Sequence, residues 1–195
     1  MEPVGAVSES LGESCVSARL EQVFSQCFFA RWNTRLAGGA IEPLYQPAES
    51  DAALHVIYYR EDYFASALHE VAHWCIAGTQ RRKQADFGYW YAPDGRSLEQ
   101  QKAFQAAEVK PQALEWFFSK ACRFRFQVSL DNLTLLGPET TEDEAFHIAI
   151  LQQTCIWQQT GLPERASLFY RQLCREFSHE IPAEQLSFSL TELDT

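Results

Sequence analysis

The chain has 195 residues, 46% of them hydrophobic and 13% aromatic, and its formal net charge at pH 7 is −10. This length suits one folded unit with its own core, so we expect a single domain over residues 1–195. The acidic balance argues against direct binding of nucleic acid through a basic face. No apolar run reaches the roughly 18 to 20 residues that cross a bilayer. We therefore expect a soluble cytoplasmic protein with no membrane partner and with loosely attached ends at 1–16 and 180–195.

The first half of the chain predicts a helix, a strand and a second helix. Apolar residues recur at helical spacing over 20–28, and this helix should end before the glycine pair at 38–39. Residues 54–59 are β-branched and aromatic, which predicts a buried strand. The second helix follows directly, with Asp62 as a plausible N-cap and Gly78 just after its C-terminus.

The middle of the chain predicts one long helix between two extended segments. The aromatic residues of 86–91 indicate a strand that runs into a Pro-Asp-Gly turn. Ser97 begins a capping box for the helix, which should kink or restart at Pro111 because proline removes a backbone donor. Apolar residues alternate over 124–130, which predicts a short strand or an extended segment.

Two further helices are predicted near the C-terminus. The first should be capped by Thr141 and end before Gly161. The second carries apolar residues at helical spacing over 168–177.

The motif with the most defined chemistry is the HExxH string from His69 to His73 on the second helix. Residues four apart share one face of a helix, so these two imidazoles can bind one metal ion. Glu70 points roughly 100° around the helix, which can leave it beside a metal-bound water or oxidant instead of on the metal. The alternative is a pair of surface or core histidines, but two of only five histidines stand at the chelating spacing.

The third ligand must come from another part of the chain. Glu108 is the first choice, because it lies just before Pro111 on the long helix. Glu115 is the alternative. Asp86 and Asp131 are weaker candidates, since each is predicted in a strand or turn.

Two histidines and one carboxylate suit two different chemistries. With Fe(II) they form the facial triad of non-haem oxygenases. With Zn(II) they form the centre of a hydrolase, either peptidase or nuclease, in which Glu70 is the general base. The set of ligands does not decide between these, and a non-catalytic binding protein with a vestigial motif is a third possibility.

Three blocks in this order are more specific than the histidine motif alone. They are SALHEVAHWCIAG at 66–78, DFGYWYAPDGR at 86–96 and EVKPQALEW at 108–116, with Asp131-Asn132 and GLPER at 161–165 as further segments. In these blocks the chain resembles the bacterial elongation factor P hydroxylase family, over about residues 15 to 180.

The resemblance implies a non-haem iron, monooxygenase-type oxidoreductase. Its substrate would be the β-lysylated lysine of elongation factor P, so the enzyme would act in post-translational modification of a translation factor. His69, His73 and Glu108 would hold Fe(II), and Glu70 would orient a ligand or move a proton. Molecular oxygen would be the cosubstrate. No 2-oxoglutarate is expected, because the HxD…H pattern of the enzymes that use it is absent. The electron donor is left open.

The resemblance also implies the fold and the partners. The fold would be α+β, with a small mixed β-sheet packed against several helices, as in a metal-dependent endoribonuclease of bacterial rRNA maturation. The single catalytic domain would act as a monomer on elongation factor P, without direct nucleic acid. Tyr89, Trp90 and Tyr91 are candidates for a wall that guides a long aliphatic cation, although ordinary strand core is the simpler role for at least two of them. Arg96 is a candidate contact for the partner protein, with an exposed turn arginine as the default.

Overall fold

The computed structural model describes residues 16–50, 52–86, 97–129 and 141–193. Within these residues we number the helices α1 Ser17–Trp32, α2 Phe64–Ile76, α3 Leu98–Ala121, α4 Thr141–Thr160 and α5 Glu164–Glu176. The strands are β1 Thr34–Ala40, β2 Leu44–Gln46 and β3 His55–Arg60, and short 3-10 turns occur at Arg81–Lys83, Ala183–Gln185 and Leu190–Glu192. None of the helices described is long and apolar enough to span a membrane.

The three strands form one small mixed sheet in the order β1, β3, β2. β1 runs parallel to β3, and β2 runs antiparallel to it. The central strand confirms the prediction for 54–59, because Val56, Ile57 and Tyr59 are buried. A mixed sheet with several helices around it confirms the predicted α+β class, whereas the likeness to the endoribonuclease fold stays a prediction.

β1 and β2 have no counterpart among the predicted elements. β1 contains the glycine pair Gly38-Gly39, which indicates a turn when the sequence is considered locally. A Cβ at Gly38 would lie 2.6 Å from the carbonyl oxygen of Glu61, so glycine lets the two chain segments approach closely. The strand forms only because β3, far along the chain, supplies its hydrogen-bonding partner.

The apolar face of α2 lies in the main core. Leu68 and Val71 are fully buried and Cys75 is 3% exposed, as expected for the apolar face of an amphipathic helix. Trp74 joins the aromatic side chains of α1, with its ring centroid 5.3 Å from that of Phe24 and 4.8 Å from that of Phe28. This packing fixes the rotation of α2 about its axis and leaves the two histidines on the adjoining flank.

The predicted start of α2 needs correction, whereas the predicted place of Gly78 just after its C-terminus is confirmed. The helix begins at Phe64, so Tyr63 and not Asp62 is the N-cap, and no side-chain hydrogen bond caps it. At the other end Ala77 is the C-cap, and Gly78 follows it without the positive φ of a left-handed glycine cap. The carbonyls of the last turn are satisfied by arginine side chains, as described below.

The predicted restart at Pro111 is wrong, because α3 is one continuous helix, whereas a kink at this position stays a prediction. Its start is confirmed, since the side chains and backbone of Ser97 and Gln100 form a capping box. A proline inside a helix costs about 3 kcal/mol. Leu114 and Trp116 in the following turn are almost fully buried, and this burial holds the helix through the proline.

The last two helices are largely as predicted. α4 ends at Thr160, and Gly161 adopts a φ of +86° directly after it. Thr141 is itself helical and is therefore not the cap. Leu173 is fully buried on α5, and Phe177 follows that helix at 9% exposure.

The two predicted extended segments are only partly described. Asp86 pairs with Tyr45 in an isolated antiparallel bridge, with N···O distances of 2.8 and 3.0 Å, and the rest of 86–91 lies outside the described residues. The described part of 124–130 forms no strand and runs as an irregular segment.

The C-terminal segment is packed, in contrast to the loose attachment predicted for 180–195. Leu186 and Leu193 are only 9% and 7% exposed, and Phe188 packs beside them against the core. The alternating apolar residues of this segment cover side chains of α3 that would otherwise meet water. The corresponding prediction for 1–16 lies almost entirely outside the described residues.

Candidate metal centre

α2 presents His69 and His73 side by side on the flank next to its buried face. Their Nε2 atoms are 3.0 Å apart, and their ring centroids are 4.7 Å apart. Each side chain is about one-fifth exposed, at 23% and 20%. The spacing of the motif therefore directs two ring nitrogens to one point, as predicted.

Glu108 reaches the same point from α3. Its Oε1 atom lies 3.2 Å from Nε2 of His73, and its Oε2 atom lies 3.4 Å from Nε2 of His69. Oε2 is buried and has no hydrogen-bond partner among the described residues. Ligand atoms of the three residues all lie within 4.8 Å of one another. A buried carboxylate oxygen without a donor, beside two imidazole nitrogens, fits a divalent metal ion.

Glu115 contacts the other side of His69. Its Oε2 atom accepts a hydrogen bond of 2.8 Å from Nδ1 of His69, on the opposite side of the ring from Nε2. The two glutamates that the sequence offers as third ligand therefore lie on opposite sides of the His69 ring. Glu108 faces the converging nitrogens, whereas Glu115 occupies the place of an outer carboxylate that orients a metal-bound imidazole.

The continuity of α3 explains how one helix supplies both carboxylates. Glu108 and Glu115 are seven residues apart, which is close to two helical turns, so both face α2. Gln112 lies between them and is fully buried. Its side-chain amide donates to the carbonyl oxygen of Ser129 at 2.7 Å and accepts from the Ser129 N–H at 3.1 Å, which ties the centre to the segment after α3.

The groups of the centre shift one another's pKa values. Burial alone would raise the pKa of Glu108, but the neighbouring His73 and His69 and a hydrogen bond from Gln112 lower that pKa to about 2. Burial alone would lower the pKa of His69, but the hydrogen bond to Glu115 and the charges of the nearby carboxylates raise that pKa to about 10. Glu108 is therefore anionic and ready to bind a cation.

Glu70 lies on the side of α2 toward the sheet and not among the converging ligand atoms. It lines a pocket with His73, Tyr45 and Ile57. Burial raises the pKa of the Glu70 carboxyl, although the two histidines partly oppose that shift. Glu70 is therefore absent from the group of converging ligand atoms, and its role beside a metal ion stays a prediction.

The remaining predicted site residues are set apart from the centre or lie outside the described residues. Asp86 pairs with Arg81 and lines the pocket beside Glu70, so it is not brought to the three ligand atoms. Asp131, Arg96 and the aromatic run 89–91 lie outside the described residues.

Arg165 supports the end of α2, a role that sequence analysis did not assign to it although it lies in the GLPER segment. One of its guanidinium nitrogens donates to the carbonyl oxygens of Trp74, Cys75 and Ala77 at 2.9, 3.0 and 2.6 Å. The guanidinium also lies 4.7 Å from the ring centroid of Trp74. A cation at the C-terminus of α2 satisfies the free carbonyls of the turn that carries His73.

The comparisons with known proteins identify the family of the chain. The family model for elongation factor P hydroxylase matches residues 23–188. The chain is 44% identical over 169 residues to the elongation factor P lysine hydroxylase of Haemophilus influenzae, and the match covers 87% of this chain and 93% of that protein. The matched region contains α2, α3 and every residue of the centre. The chain therefore belongs to the elongation factor P hydroxylase family.

Proposed function

We propose that this protein hydroxylates the β-lysylated lysine of elongation factor P with molecular oxygen, at an Fe(II) ion held by His69, His73 and Glu108. The observation that carries the proposal is the convergence of two imidazoles and one buried carboxylate, whose Oε2 atom accepts no hydrogen bond, in a chain of this family. A ferrous ion bound there would supply the activation of molecular oxygen.

The side chains around the centre have separate tasks in this proposal. Glu115 accepts a hydrogen bond from Nδ1–H of His69, which directs Nε2 of that ring toward His73 and Glu108. Glu108 supplies the negative charge and is excluded from bulk water at 4% exposure. The core packing of α2 and α3 holds these groups in place before any substrate arrives.

The reaction must balance in atoms and electrons. One C–H bond of the lysine becomes C–OH, and the second oxygen atom leaves as water after taking up two electrons and two protons. The enzyme therefore needs an external two-electron reductant, which a chemical reductant supplies in vitro.

The test is the mass of elongation factor P. Purified protein loaded with Fe(II) should add one oxygen atom to β-lysylated elongation factor P in the presence of a reductant, and the label should come from ¹⁸O₂ and not from labelled water. His73→Ala protein should leave the mass unchanged. An unchanged substrate with fully iron-loaded wild-type protein would rule the proposal out. Anaerobic cleavage of peptide or RNA by a zinc-loaded form would instead indicate a hydrolase.

A further inference from the structure

Gln112 is a buried amide that lies on α3 between the two carboxylates of the centre. It follows Glu108 by four residues and precedes Glu115 by three, so the three side chains share one face of the helix. Gln112 is fully excluded from solvent. A buried amide must place its two N–H donors and its oxygen on protein partners, because each missing partner costs free energy.

The backbone of Ser129 pairs with this amide through two hydrogen bonds. The Gln112 Nε2 atom donates to the Ser129 carbonyl oxygen at 2.7 Å, and the Gln112 Oε1 atom accepts from the Ser129 N–H at 3.1 Å. If the amide were turned end for end, donor would face donor and acceptor would face acceptor. The Ser129 backbone therefore fixes which end of the amide is the nitrogen.

This orientation leaves the second N–H of Gln112 for the metal ligand. The Gln112 amide donates a hydrogen bond to the Glu108 carboxylate, whereas the Oε2 atom of Glu108 accepts none. With Ser129 on one N–H and Glu108 on the other, both donors of the amide are used. Gln112 thus restrains the Glu108 carboxylate and leaves the oxygen that faces Nε2 of His69 without a hydrogen bond.

The segment that contains Ser129 is held by aromatic packing. Phe126 is 5% exposed, and its ring stacks on that of Trp116 with a centroid distance of 5.6 Å and an interplanar angle of 20°. Trp116 lies about one helical turn after Gln112 on α3. The stack of two buried rings therefore keeps the backbone of this segment beside Gln112, although Ser129 itself is exposed.

We infer that Gln112 is a positioning residue of the proposed metal centre and holds the Glu108 carboxylate in its metal-binding orientation through the hydrogen bonds that Ser129 fixes. The inference rests on the proposed function for the presence of a metal ion. A carboxylate that turns freely about its last side-chain bond would offer its oxygens to the ion in several orientations. The hydrogen bond from Gln112 selects one of them, as the outer residues of metal sites commonly do for the ligands.

The first experiment measures metal binding without turnover. Co(II) is titrated into metal-free protein, because its visible absorption reports both affinity and coordination geometry. Gln112→Met removes the N–H donors at a similar side-chain length. It should weaken Co(II) binding roughly 10- to 100-fold and change the absorption spectrum. Wild-type protein that binds no Co(II) would rule out the metal centre and this inference with it.

Gln105→Met is the matched control. Gln105 is a second buried glutamine of α3, at 7% exposure, and its amide donates to Asp143 at 3.3 Å. Both variants should unfold at a lower temperature than wild type, because each loses hydrogen bonds of a buried amide. Only Gln112→Met should change Co(II) binding. Wild-type affinity and absorption in folded Gln112→Met, or equal losses in the two variants, would overturn the inference and leave Gln112 a purely structural role.

A second pair of variants leaves the Gln112 side chain in place. Ser129→Pro removes the N–H that fixes the amide, whereas Ser129→Ala keeps both backbone groups. Ser129→Pro should weaken Co(II) binding, and Ser129→Ala should bind as wild type does. This pair decides the question if Gln112→Met does not fold, and equal binding by the two Ser129 variants would then overturn the inference.

The last experiment uses β-lysylated elongation factor P and enough Fe(II) to load each variant. Gln112→Met should lower kcat and leave KM for elongation factor P near the wild-type value, because the residue acts on a metal ligand and not on the substrate. A rise in KM with kcat unchanged would overturn the inference in favour of a substrate contact. If wild-type protein binds Co(II) but does not hydroxylate elongation factor P, the proposed function fails, and the Co(II) titrations still decide the role of Gln112.

Discussion

His69 is contacted by a different carboxylate at each ring nitrogen. Nδ1 lies 2.8 Å from Glu115 and Nε2 lies 3.4 Å from Glu108. A histidine held from both sides cannot rotate without breaking a buried contact, so the direction of its Nε2 atom is set by these two carboxylates. The two carboxylates are equivalent in type, and only their positions give them different roles.

The first prediction separates these two carboxylates. Glu108→Gln should lose nearly all bound metal, because an amide oxygen carries no charge for the cation. Glu115→Gln should keep the metal but bind it roughly 10- to 100-fold more weakly, since the amide still accepts from Nδ1. Metal content and competition with a chelator measure both effects, and Glu70→Gln is the control that should retain full metal. Loss of metal only in Glu115→Gln would reverse the assignment.

The second prediction concerns the stability of the metal-free protein against pH. The pKa of His69 is raised from 6.5 to about 10, so its contribution to stability is complete below pH 6.5 and is lost as the pH rises toward 10. Burial also raises the pKa of Glu115. Ionisation of that carboxyl therefore lowers the free energy of unfolding as the pH rises, as deprotonation of His69 does.

The free energy of unfolding of metal-free protein should therefore fall between pH 6.5 and 10. Metal-loaded protein should lack this part of the dependence, because the bound ion keeps the imidazole deprotonated. Denaturant titrations of the two forms across this range provide the measurement. A metal-free protein that gains stability as the pH rises through this window would contradict the charge assignments.

At the scale of elements, α2 and α3 pack together so that the histidines of α2 and the glutamates of α3 cover one another. α2 buries Leu68 and Val71 in the core but leaves its histidines on a flank. α3 covers that flank with Glu108 and Glu115, whose burial is tolerable only beside cationic or metal-binding partners. An interruption at Pro111 would rotate one carboxylate away from the other, so the continuity of α3 is a requirement of the centre.

The third prediction tests the support at the end of α2. Arg165→Ala should lower the free energy of unfolding by about 1–3 kcal/mol, because it removes the donor to three carbonyl oxygens of the last turn. It should also weaken metal binding, since His73 lies in that turn. The control is Arg171→Ala, which removes an exposed arginine from α5, the helix that also carries Arg165. This variant should change the free energy of unfolding by less than about 0.5 kcal/mol. Equal effects of the two variants would show that capping of α2 by Arg165 contributes nothing specific.

At the scale of the whole molecule, the C-terminal segment closes a second face of α3. Phe188 lies with its ring centroid 4.8 Å from that of Trp116 and 4.7 Å from that of Phe117. Lys120 of α3 also binds the C-terminal segment, through an ion pair of 2.5 Å with Glu192. The helix that carries both carboxylates is thus packed by α2 on one side and by the end of the chain on another.

The fourth prediction follows from this closure. Phe188→Ala should destabilise the protein by roughly 1–3 kcal/mol, because a partly buried aromatic ring loses its contacts with two others. Phe29→Ala removes a ring that is 48% exposed on α1 and should have a clearly smaller effect. Chemical denaturation measures both variants, and metal content should be unchanged in each. Full wild-type stability of Phe188→Ala would mean that the segment is only loosely attached, as the sequence suggested.

Local sequence signals predicted the elements that depend on neighbouring residues. The capping box at Ser97, the end of α4 before Gly161 and the buried strand around Ile57 all follow from side chains within a few positions of one another. β1 could not be predicted in this way, because its glycines indicate a turn until β3 supplies a hydrogen-bonding partner. The restart predicted at Pro111 is wrong for the same reason. Burial of the helix around the proline outweighs the local free-energy cost of a proline inside a helix.

The sequence by itself determined that two histidines share a helix face, that acidic residues stand within reach of a third ligand position, and which family the motif blocks resemble. Only the tertiary structure decided that Glu108 faces the converging nitrogens, that Glu115 holds the far side of His69, and that Glu70 enters a separate pocket. Spacing along a helix is a local property, whereas the choice between two carboxylates depends on the rotation of α3 against α2. That rotation is set by core packing between residues far apart in the chain.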